Sequence, residues 1–195
     1  MESYDSTADT MTHRANVAML LVKIVEALQD RLNHHDDSKL VEPEKSMYDQ
    51  FTPMLRGLTY GSQEYKDCLA EMGPALQHHY AVNSHHPEHF KMWQCPLCSS
   101  VFRDDEVTID FEPDTRLCPR CCYHGTIFEA ALLPASGVYG MSLLDVIEML
   151  ADWKAAGMRH ANGSMAQSLT INKARFGVDD QLYRIIENTV RELGW

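Results

Sequence analysis

Four cysteines in two closely spaced pairs form the clearest chemical pattern in the sequence. The pairs are Cys95-Pro-Leu-Cys98 and Cys118-Pro-Arg-Cys121, and 19 residues separate them. Two residues between paired cysteines let both thiolates reach one ion, and four thiolates complete the tetrahedral shell of zinc. The spacing therefore predicts a structural zinc site. Cys122 is an alternative to Cys121, but the matching Cys-Pro-x-Cys pairs favour Cys121.

Histidines are concentrated in a second region. Seven of the ten histidines lie within one stretch of 56 residues, at His34, His35, His78, His79, His85, His86 and His89. Neutral imidazole is a common protein ligand for transition metals, and carboxylates complete sites for manganese, iron, cobalt or magnesium. The cluster therefore favours a second metal site, built from histidine and aspartate.

Amphipathic helices must position these side chains. Apolar residues recur every three or four positions, as on one face of an α-helix, in five segments. These are about residues 12–32, 43–61, 62–85, 142–157 and the stretch after Asp179-Asp180. Gly73-Pro74 must kink or split the third segment, and Ser142-x-x-Asp145 resembles a capping box at the start of the fourth. Helices on both sides of the cysteine region must pack together, since neither group alone offers a sufficient core.

The cysteine region has a different pattern. Short alternating runs and turn residues fill residues 93–134, which is typical of small strands. The sequence therefore predicts an all-α fold. One discontinuous helical domain would comprise residues 1–92 and 135–195, and a small β-rich insertion of the zinc-ribbon kind would comprise residues 93–134.

Helical geometry selects among the candidate ligands. His13 lies four residues before Val17 on the apolar face of the first helix, so its ring is expected to point inward. His79 continues the buried stripe of the third segment, whereas His78 lies about 100° away around the helix. Asp152 shares a helix face with Glu148 and sits among apolar residues, where a carboxylate needs a cation.

Charge and hydropathy exclude several classes of protein. The chain has 17 basic and 28 acidic side chains and a formal net charge of −11, so nucleic acid is not an expected partner. The cysteine region alone, residues 91–125, holds four basic and six acidic side chains. No apolar run approaches the roughly 18 residues of a membrane helix, and the acidic N-terminus does not resemble a signal peptide. A cytoplasmic protein without a membrane partner is expected.

The order His13, His35-Asp36, His79, His85-His86, Asp152 resembles the H…HD…H…H…D pattern of the HD-domain superfamily of metal-dependent phosphohydrolases. Three local strings resemble an uncharacterised bacterial and phage branch of that superfamily: HDDSK at residues 35–39, HHPEH at 85–89 and ADW at 151–153. The resemblance covers about residues 12–90 and 141–158. It implies an HD-domain-like helical bundle, to which the zinc-ribbon insertion is an addition.

The resemblance also implies a site and an activity. It implies one metal held by His13, His35, Asp36 and Asp152. It extends the site toward a second metal with His79, His85 and His86. Such a metal polarises a phosphoryl oxygen and lowers the pKa of bound water. The residues that would neutralise substrate phosphate are Lys39 and Arg175, and those that would orient the water are Asp37 or Glu88.

The implied reaction is hydrolysis of a phosphate ester or anhydride on a nucleotide or deoxynucleotide. The implied setting is a phage nucleotide pool within the host cytoplasm. HD domains commonly associate, which leaves a homo-oligomer open. Two other functions remain open as well. One is a di-iron centre for oxygen chemistry, as in some HD-fold relatives, and the other is a non-catalytic zinc-ribbon adaptor. The adaptor hypothesis predicts metal at the cysteines alone.

Overall fold

A computed structural model describes residues 4–59, 61–103, 106, 108–109, 116–125, 128–129, 136–159 and 163–195. The chain divides into two compact units, Met1–His35 and Asp36–Trp195. Within the described residues there are seven α-helices and two small antiparallel sheets, so the protein is mostly helical, as the sequence predicts.

The first unit contains one long helix, α1, at Thr7–His34. Asp9 lies in its first turn and Arg31 and His34 lie in its last, which suits the positive and negative ends of the helix dipole. Within this unit the helix has no buried residue, and apolar side chains such as Val17 are exposed. Neither α1 nor any other helix of the described residues is long and apolar enough to cross a membrane.

The second unit begins with a 3-10 turn at Asp37–Leu40, followed by α2 at Lys45–Arg56, α3 at Gln63–Glu71 and α4 at Gly73–Val82. The predicted break at Gly73-Pro74 is confirmed, since it separates α3 from α4. Pro74 occupies the first turn of α4, where a helix needs no backbone N–H from it. The core of these three helices consists of Phe51, Cys68 and Met72. A second 3-10 turn follows at Pro87–Phe90.

The six strands of the described residues lie in the region predicted to be β-rich, except that the first begins one residue before it. They are β1 at Met92–Gln94, β2 at Val101–Arg103, β3 at Thr108–Ile109, β4 at Arg116–Leu117, β5 at His124–Gly125 and β6 at Phe128–Glu129. Their order is β2-β1-β6 in one sheet and β3-β4-β5 in the other. In the first sheet Trp93 of β1 pairs with Phe102 and with Glu129. The chain before each cysteine pair is therefore held in a sheet.

Three further helices complete the second unit: α5 at Leu143–Gly157, α6 at Met165–Phe176 and α7 at Asp180–Glu192. Each begins at a side-chain cap, provided by Ser142, Ser164 and Asp179. At α5 both halves of the predicted capping box are present, since Asp145 also accepts from the Ser142 N–H. The sequence did not predict α6, whose buried face includes the polar Asn172 and so breaks the apolar periodicity.

The helices before and after the cysteine region, which the sequence predicts to pack together, hold separate apolar clusters in the described residues. Their buried apolar side chains form one cluster in α2–α4 and a separate cluster around α5–α7. Several contacts join these halves. The 3-10 turn at Pro87–Phe90 packs on another at Gly137–Gly140, and the Ser84 hydroxyl donates to Asp145 at 2.7 Å. The segment after α4, which carries His85, is thereby fixed to the start of α5.

Candidate metal centres

One cluster of ligand atoms lies where α4 and the segment after it meet the turn at residue 36. Its members are Asp36, His79, His85 and His86, and one ligand atom from each lies within 4.8 Å of all the others. The Nε2 atoms of His79 and His86 are 2.8 Å apart. The Asp36 Oδ1 lies 3.5 Å from Nε2 of His79 and 3.5 Å from Nε2 of His85. Three imidazoles and a carboxylate thus face one point.

The backbone at Asp36 is unusual and helps to aim its carboxylate. Asp36 has a left-handed conformation, with a φ of 61°, immediately before the 3-10 turn. Aspartate tolerates this conformation better than most residues because its short polar side chain bonds locally. Its Oδ2 accepts from the Lys39 ammonium at 2.6 Å, which leaves Oδ1 on the side of the histidines.

Burial keeps two of these histidines, His79 and His86, neutral. His79 and His85 are almost completely buried, and His86 is half-buried. Burial, together with the nearby Lys39 cation, lowers the pKa of His79 to about 4. Burial and the neighbouring His85 and His79 rings lower the pKa of His86 to about 2. Both rings are therefore uncharged at neutral pH, which is the form that binds a metal.

Two carboxylates lie behind the histidines, on the side away from the shared point. Glu44, which is fully buried, accepts from Nδ1 of His79 at 3.0 Å and from Nδ1 of His78 at 2.7 Å. An oxygen of Glu148, on α5, lies 3.3 Å from Nδ1 of His85. Sequence reasoning missed Glu44, because no periodicity or spacing links it to a histidine 35 residues later. Glu148 was noted only for sharing a helix face with Asp152.

Further charged and polar groups border the cluster. The Lys39 ammonium lies 4.9 Å from the centre of the Tyr48 ring, and the edge of Tyr48 packs on His79. Burial and the charges of Glu44 and Asp36 raise the pKa of Tyr48, so its hydroxyl stays protonated. One oxygen of Asp152 lies within 4.8 Å of one of Asp36, which places a fifth predicted ligand beside the cluster.

Other predicted site residues are placed differently. His13 is exposed on α1, so the inward ring expected from the sequence is not observed within that unit. His35 is half-buried and directly precedes Asp36 in the chain. Asp37 is exposed, and within the described residues it belongs to no group of converging ligand atoms.

Glu88 and Arg175 bind each other. The Arg175 guanidinium donates to Glu88 Oε1 at 2.7 Å, and the other oxygen, Oε2, is buried without a hydrogen bond among the described residues. Arg175 itself is exposed. The sequence assigned the pair two separate roles, and these stay predictions.

The distances in the histidine cluster fit a transition-metal ion. With metal–ligand bonds of about 2.1 Å, neighbouring ligands are about 3.0 Å apart around an octahedral ion and about 3.4 Å apart around a tetrahedral one. The three separations given above run from 2.8 to 3.5 Å, and all four ligand atoms lie within 4.8 Å of one another. Nitrogen and oxygen donors in this mixture suit manganese, iron, cobalt or zinc better than calcium. The residues present can therefore hold a divalent ion.

The four predicted cysteines form a second cluster, in which the sulfurs lie within 4.8 Å of one another. Sγ of Cys95 is 3.6 Å from Sγ of Cys121, and Sγ of Cys98 is 3.7 Å from Sγ of Cys118. A disulfide would require about 2.05 Å. Four thiolates about 2.3 Å from one zinc ion would be about 3.8 Å apart. The sulfurs therefore have the spacing of a tetrahedral metal site.

The two cysteine pairs lie in equivalent turns. In the first, the N–H of Ser99 donates to the carbonyl of Cys95 at 2.9 Å, and in the second the N–H of Cys122 donates to that of Cys118 at 2.9 Å. Ser99 and Cys122 both have a φ of 56°. Cys122 is thus the counterpart of Ser99, and its side chain is exposed. This equivalence explains why Cys121 joins the cluster, as the sequence favoured.

Comparison with known proteins gives one match. A family model described as a family of unknown function, DUF5662, matches residues 2–192. No curated protein and no solved structure matches the chain. The matched range contains both clusters of potential metal ligands.

Proposed function

The chain belongs to the family of unknown function DUF5662, and we propose that it is a metal-dependent hydrolase of phosphate esters or anhydrides, acting on a nucleotide or deoxynucleotide. The observation that carries this proposal is the convergence of Asp36 and three histidines on one point. An HD-domain-like bundle, suggested by the resemblance of the sequence, is the architecture that we propose for the helices.

Asp36, His79, His85 and His86 would hold the ion, and Asp152 would extend the site from α5. His35, joined to Asp36 by one peptide bond, is the further ligand that the resemblance implies. A divalent manganese, iron, cobalt or magnesium ion bound there would polarise a phosphoryl oxygen and lower the pKa of its bound water. The chain contributes uncharged imidazoles and carboxylates in fixed positions, so the ligand atoms are already oriented for an ion.

Lys39 supports an anionic substrate. Its ammonium lies 2.6 Å from Asp36 Oδ2, at the border of the cluster, where it can also neutralise a phosphate oxygen. Arg175 can take the same role only if its bond to Glu88 opens, and that opening would also release Glu88 to orient water. Asp37, exposed at the start of the 3-10 turn, is the other candidate for orienting water.

For the four cysteines we propose a structural zinc ion. Four protein ligands close the tetrahedral shell, so this ion would stabilise the fold and leave no position for a substrate. Equivalent turns and sulfur separations of 3.6 and 3.7 Å support zinc over a pair of disulfides. The strands at residues 92–129 would then form the zinc-ribbon insertion of the proposed helical domain.

The proposal is tested by product analysis. Purified protein is incubated with Mn²⁺ and a panel of ribo- and deoxynucleotide mono-, di- and triphosphates, and the products are identified by mass spectrometry. We expect metal-dependent loss of one nucleotide class, with the released fragment showing which bond is cut. Asp36→Ala should abolish turnover because it removes a ligand, whereas Asp67→Asn, at an exposed aspartate of α3, should leave turnover unchanged.

Other outcomes would favour the other functions. No turnover across the panel, with metal bound at the histidines, would overturn the hydrolase and favour oxygen chemistry at a di-iron centre, to be sought by iron content and Mössbauer spectra. Metal at the cysteines alone would favour a zinc-ribbon adaptor. Full activity of Asp36→Ala would contradict the assignment of the site.

A further inference from the structure

We infer that Glu44 and Glu148 are positioning residues for the metal site, each of which accepts the Nδ1–H of one histidine and so turns its Nε2 toward the ion. Glu44 acts on His79 and Glu148 acts on His85. The inference rests on the proposed metal site and assigns a role to two carboxylates outside the ligand set.

The hydrogen-bond partners of His79 show which of its ring nitrogens carries the proton. Its Nδ1 lies 3.0 Å from Glu44 Oε2 and 3.0 Å from the Asn83 amide nitrogen. That amide has two N–H groups, and it donates to the Ser38 hydroxyl at 2.9 Å and to the His79 carbonyl at 2.8 Å. Both are thus used. The Ser38 hydroxyl lies 3.4 Å from Nδ1 but donates to Glu44 Oε2 at 3.0 Å, so Nδ1 of His79 is a donor to Glu44. In a neutral ring this leaves the lone pair on Nε2.

Glu44 is held rigidly enough to orient a ring. It is fully buried, and a buried carboxylate is costly unless donors surround it. Its Oε1 accepts from His78 at 2.7 Å, and its Oε2 accepts from His79 and from the Ser38 hydroxyl, each at 3.0 Å. Because His78 binds Oε1, Oε2 is kept for His79. This gives the half-exposed His78 a role, although it is not itself a ligand.

Glu148 repeats the arrangement from a different element. It lies on α5, and its Oε1 is 3.3 Å from Nδ1 of His85, whose Nε2 faces Asp36 at 3.5 Å. Glu44, directly before α2, and Glu148 of α5 thus lie behind two histidines, and both Nε2 atoms face the same carboxylate oxygen. Metal-binding histidines commonly donate their second N–H to such a carboxylate, which fixes the tautomer and makes the ring a better ligand.

The experiment measures metal binding and the tautomer, not turnover. The full chain with its cysteine site loaded with zinc is titrated calorimetrically with Mn²⁺, as wild type, Glu44→Gln, Glu148→Gln and the control Glu192→Gln, at an exposed glutamate of α7. We expect each of the first two variants to bind Mn²⁺ about 10- to 100-fold more weakly. The control should bind as the wild type does. Unchanged zinc content and circular dichroism show that the fold is kept.

The second readout is nitrogen NMR of the histidine rings in the metal-free protein. We expect Nδ1–H at His79 and His85 in the wild type, and a shift toward Nε2–H at His79 in Glu44→Gln, which a merely structural role for Glu44 would not produce. If Nε2 is protonated in both wild-type rings, the inference is overturned, even if a variant fails to fold. It is also overturned if both variants fold and bind Mn²⁺ with the affinity of the wild type. Absence of Mn²⁺ binding by the wild type would overturn the proposed function, while the tautomers would still test the inference.

Discussion

The cysteine and histidine clusters differ in how the chain assembles them. The cysteine cluster uses two equivalent turns, at Cys95–Cys98 and Cys118–Cys121, each bordered by short strands. The ligand atoms of the histidine cluster come from the left-handed Asp36, from α4 and from the segment after α4. Two carboxylates, one directly before α2 and one on α5, contact the far side of its histidines. Local spacing is therefore enough for the first cluster, whereas the second requires tertiary packing.

The two clusters also differ in chemistry. Four sulfurs around one zinc ion would complete a closed shell, in which no position would remain for another molecule. The histidine cluster mixes nitrogen and oxygen donors, and Lys39 stands beside it as a partner for an anion. This difference supports our proposals that the cysteine cluster stabilises the fold and that the histidine cluster catalyses a reaction. The predictions below test that division.

The largest effect is expected from Cys118→Ser. Zinc binding and folding are coupled in such sites, with apparent binding free energies of about 10–16 kcal/mol in zinc-finger peptides. We expect this variant to lose its zinc, measured by elemental analysis, and to lose the sheet signals at residues 92–125 in NMR. The matched control Cys122→Ser should keep both, because Cys122 is exposed and outside the cluster. Zinc loss in both variants would contradict the assignment of the ligands.

The next effect is expected from His86→Gln, which removes a proposed ligand from the histidine cluster. Its Mn²⁺ affinity should fall by more than the roughly 10- to 100-fold expected for the carboxylates behind the ligands. The zinc content should stay the same, because the two centres share no ligand. The control is His34→Gln, at an exposed histidine. Loss of zinc together with Mn²⁺ would contradict this prediction, because it would show that metal binding at the two clusters is coupled.

A smaller effect is expected from Lys39→Met. One charge-assisted hydrogen bond contributes about 1.5–3 kcal/mol, or roughly 10- to 100-fold in binding. We therefore expect kcat/KM to fall by about that factor through a higher KM, measured by steady-state kinetics on the nucleotide found in the panel. Mn²⁺ affinity should not fall, since Lys39 is no ligand. Lys45→Met is the control, because Lys45 is exposed and bound to Asp49. Equal effects of both variants would refute a specific role.

The smallest effect is expected from Ser142→Ala, which removes the cap of α5. Loss of such a cap lowers the free energy of unfolding by about 0.5–2 kcal/mol. Chemical denaturation of the metal-free protein should show this decrease, and Ser46→Ala, at an exposed serine, should not. Mn²⁺ affinity should be unchanged, because Asp145 still accepts from Ser84 and still fixes the His85 segment. A marked fall in affinity would mean that the cap, too, positions the site.

Much of the helical structure could be predicted because caps and breaks are local. Ser142-x-x-Asp145 and Gly73-Pro74 acted as the sequence indicated. In contrast, α6 was missed, since a buried Asn172 on its inner face removes the apolar signal. The division of the core was missed too, because periodicity shows which face of a helix is buried but not which helix covers it.

The histidine site could be predicted only in part. Helical spacing favoured His79 over His78, and the structure buries His79 while leaving His78 half-exposed. Glu44 was absent from every pattern, because its role depends on how the residue before α2 meets the histidines of α4. For His13 the prediction from the sequence is not observed. The apolar helix face predicted that its ring points inward, but the ring is exposed within its unit.

The sequence by itself determined the cysteine ligands, the start of α5 and the break before α4. The start of α5, the break before α4 and the turn of each cysteine pair depend on residues within a few positions of one another, where backbone geometry leaves few alternatives. The tertiary structure alone decided that Asp36 meets three histidines and that Glu44 and Glu148 stand behind two of them. The physical reason is that these groups are brought together by the packing of separate helices, and no local pattern encodes the distance between them.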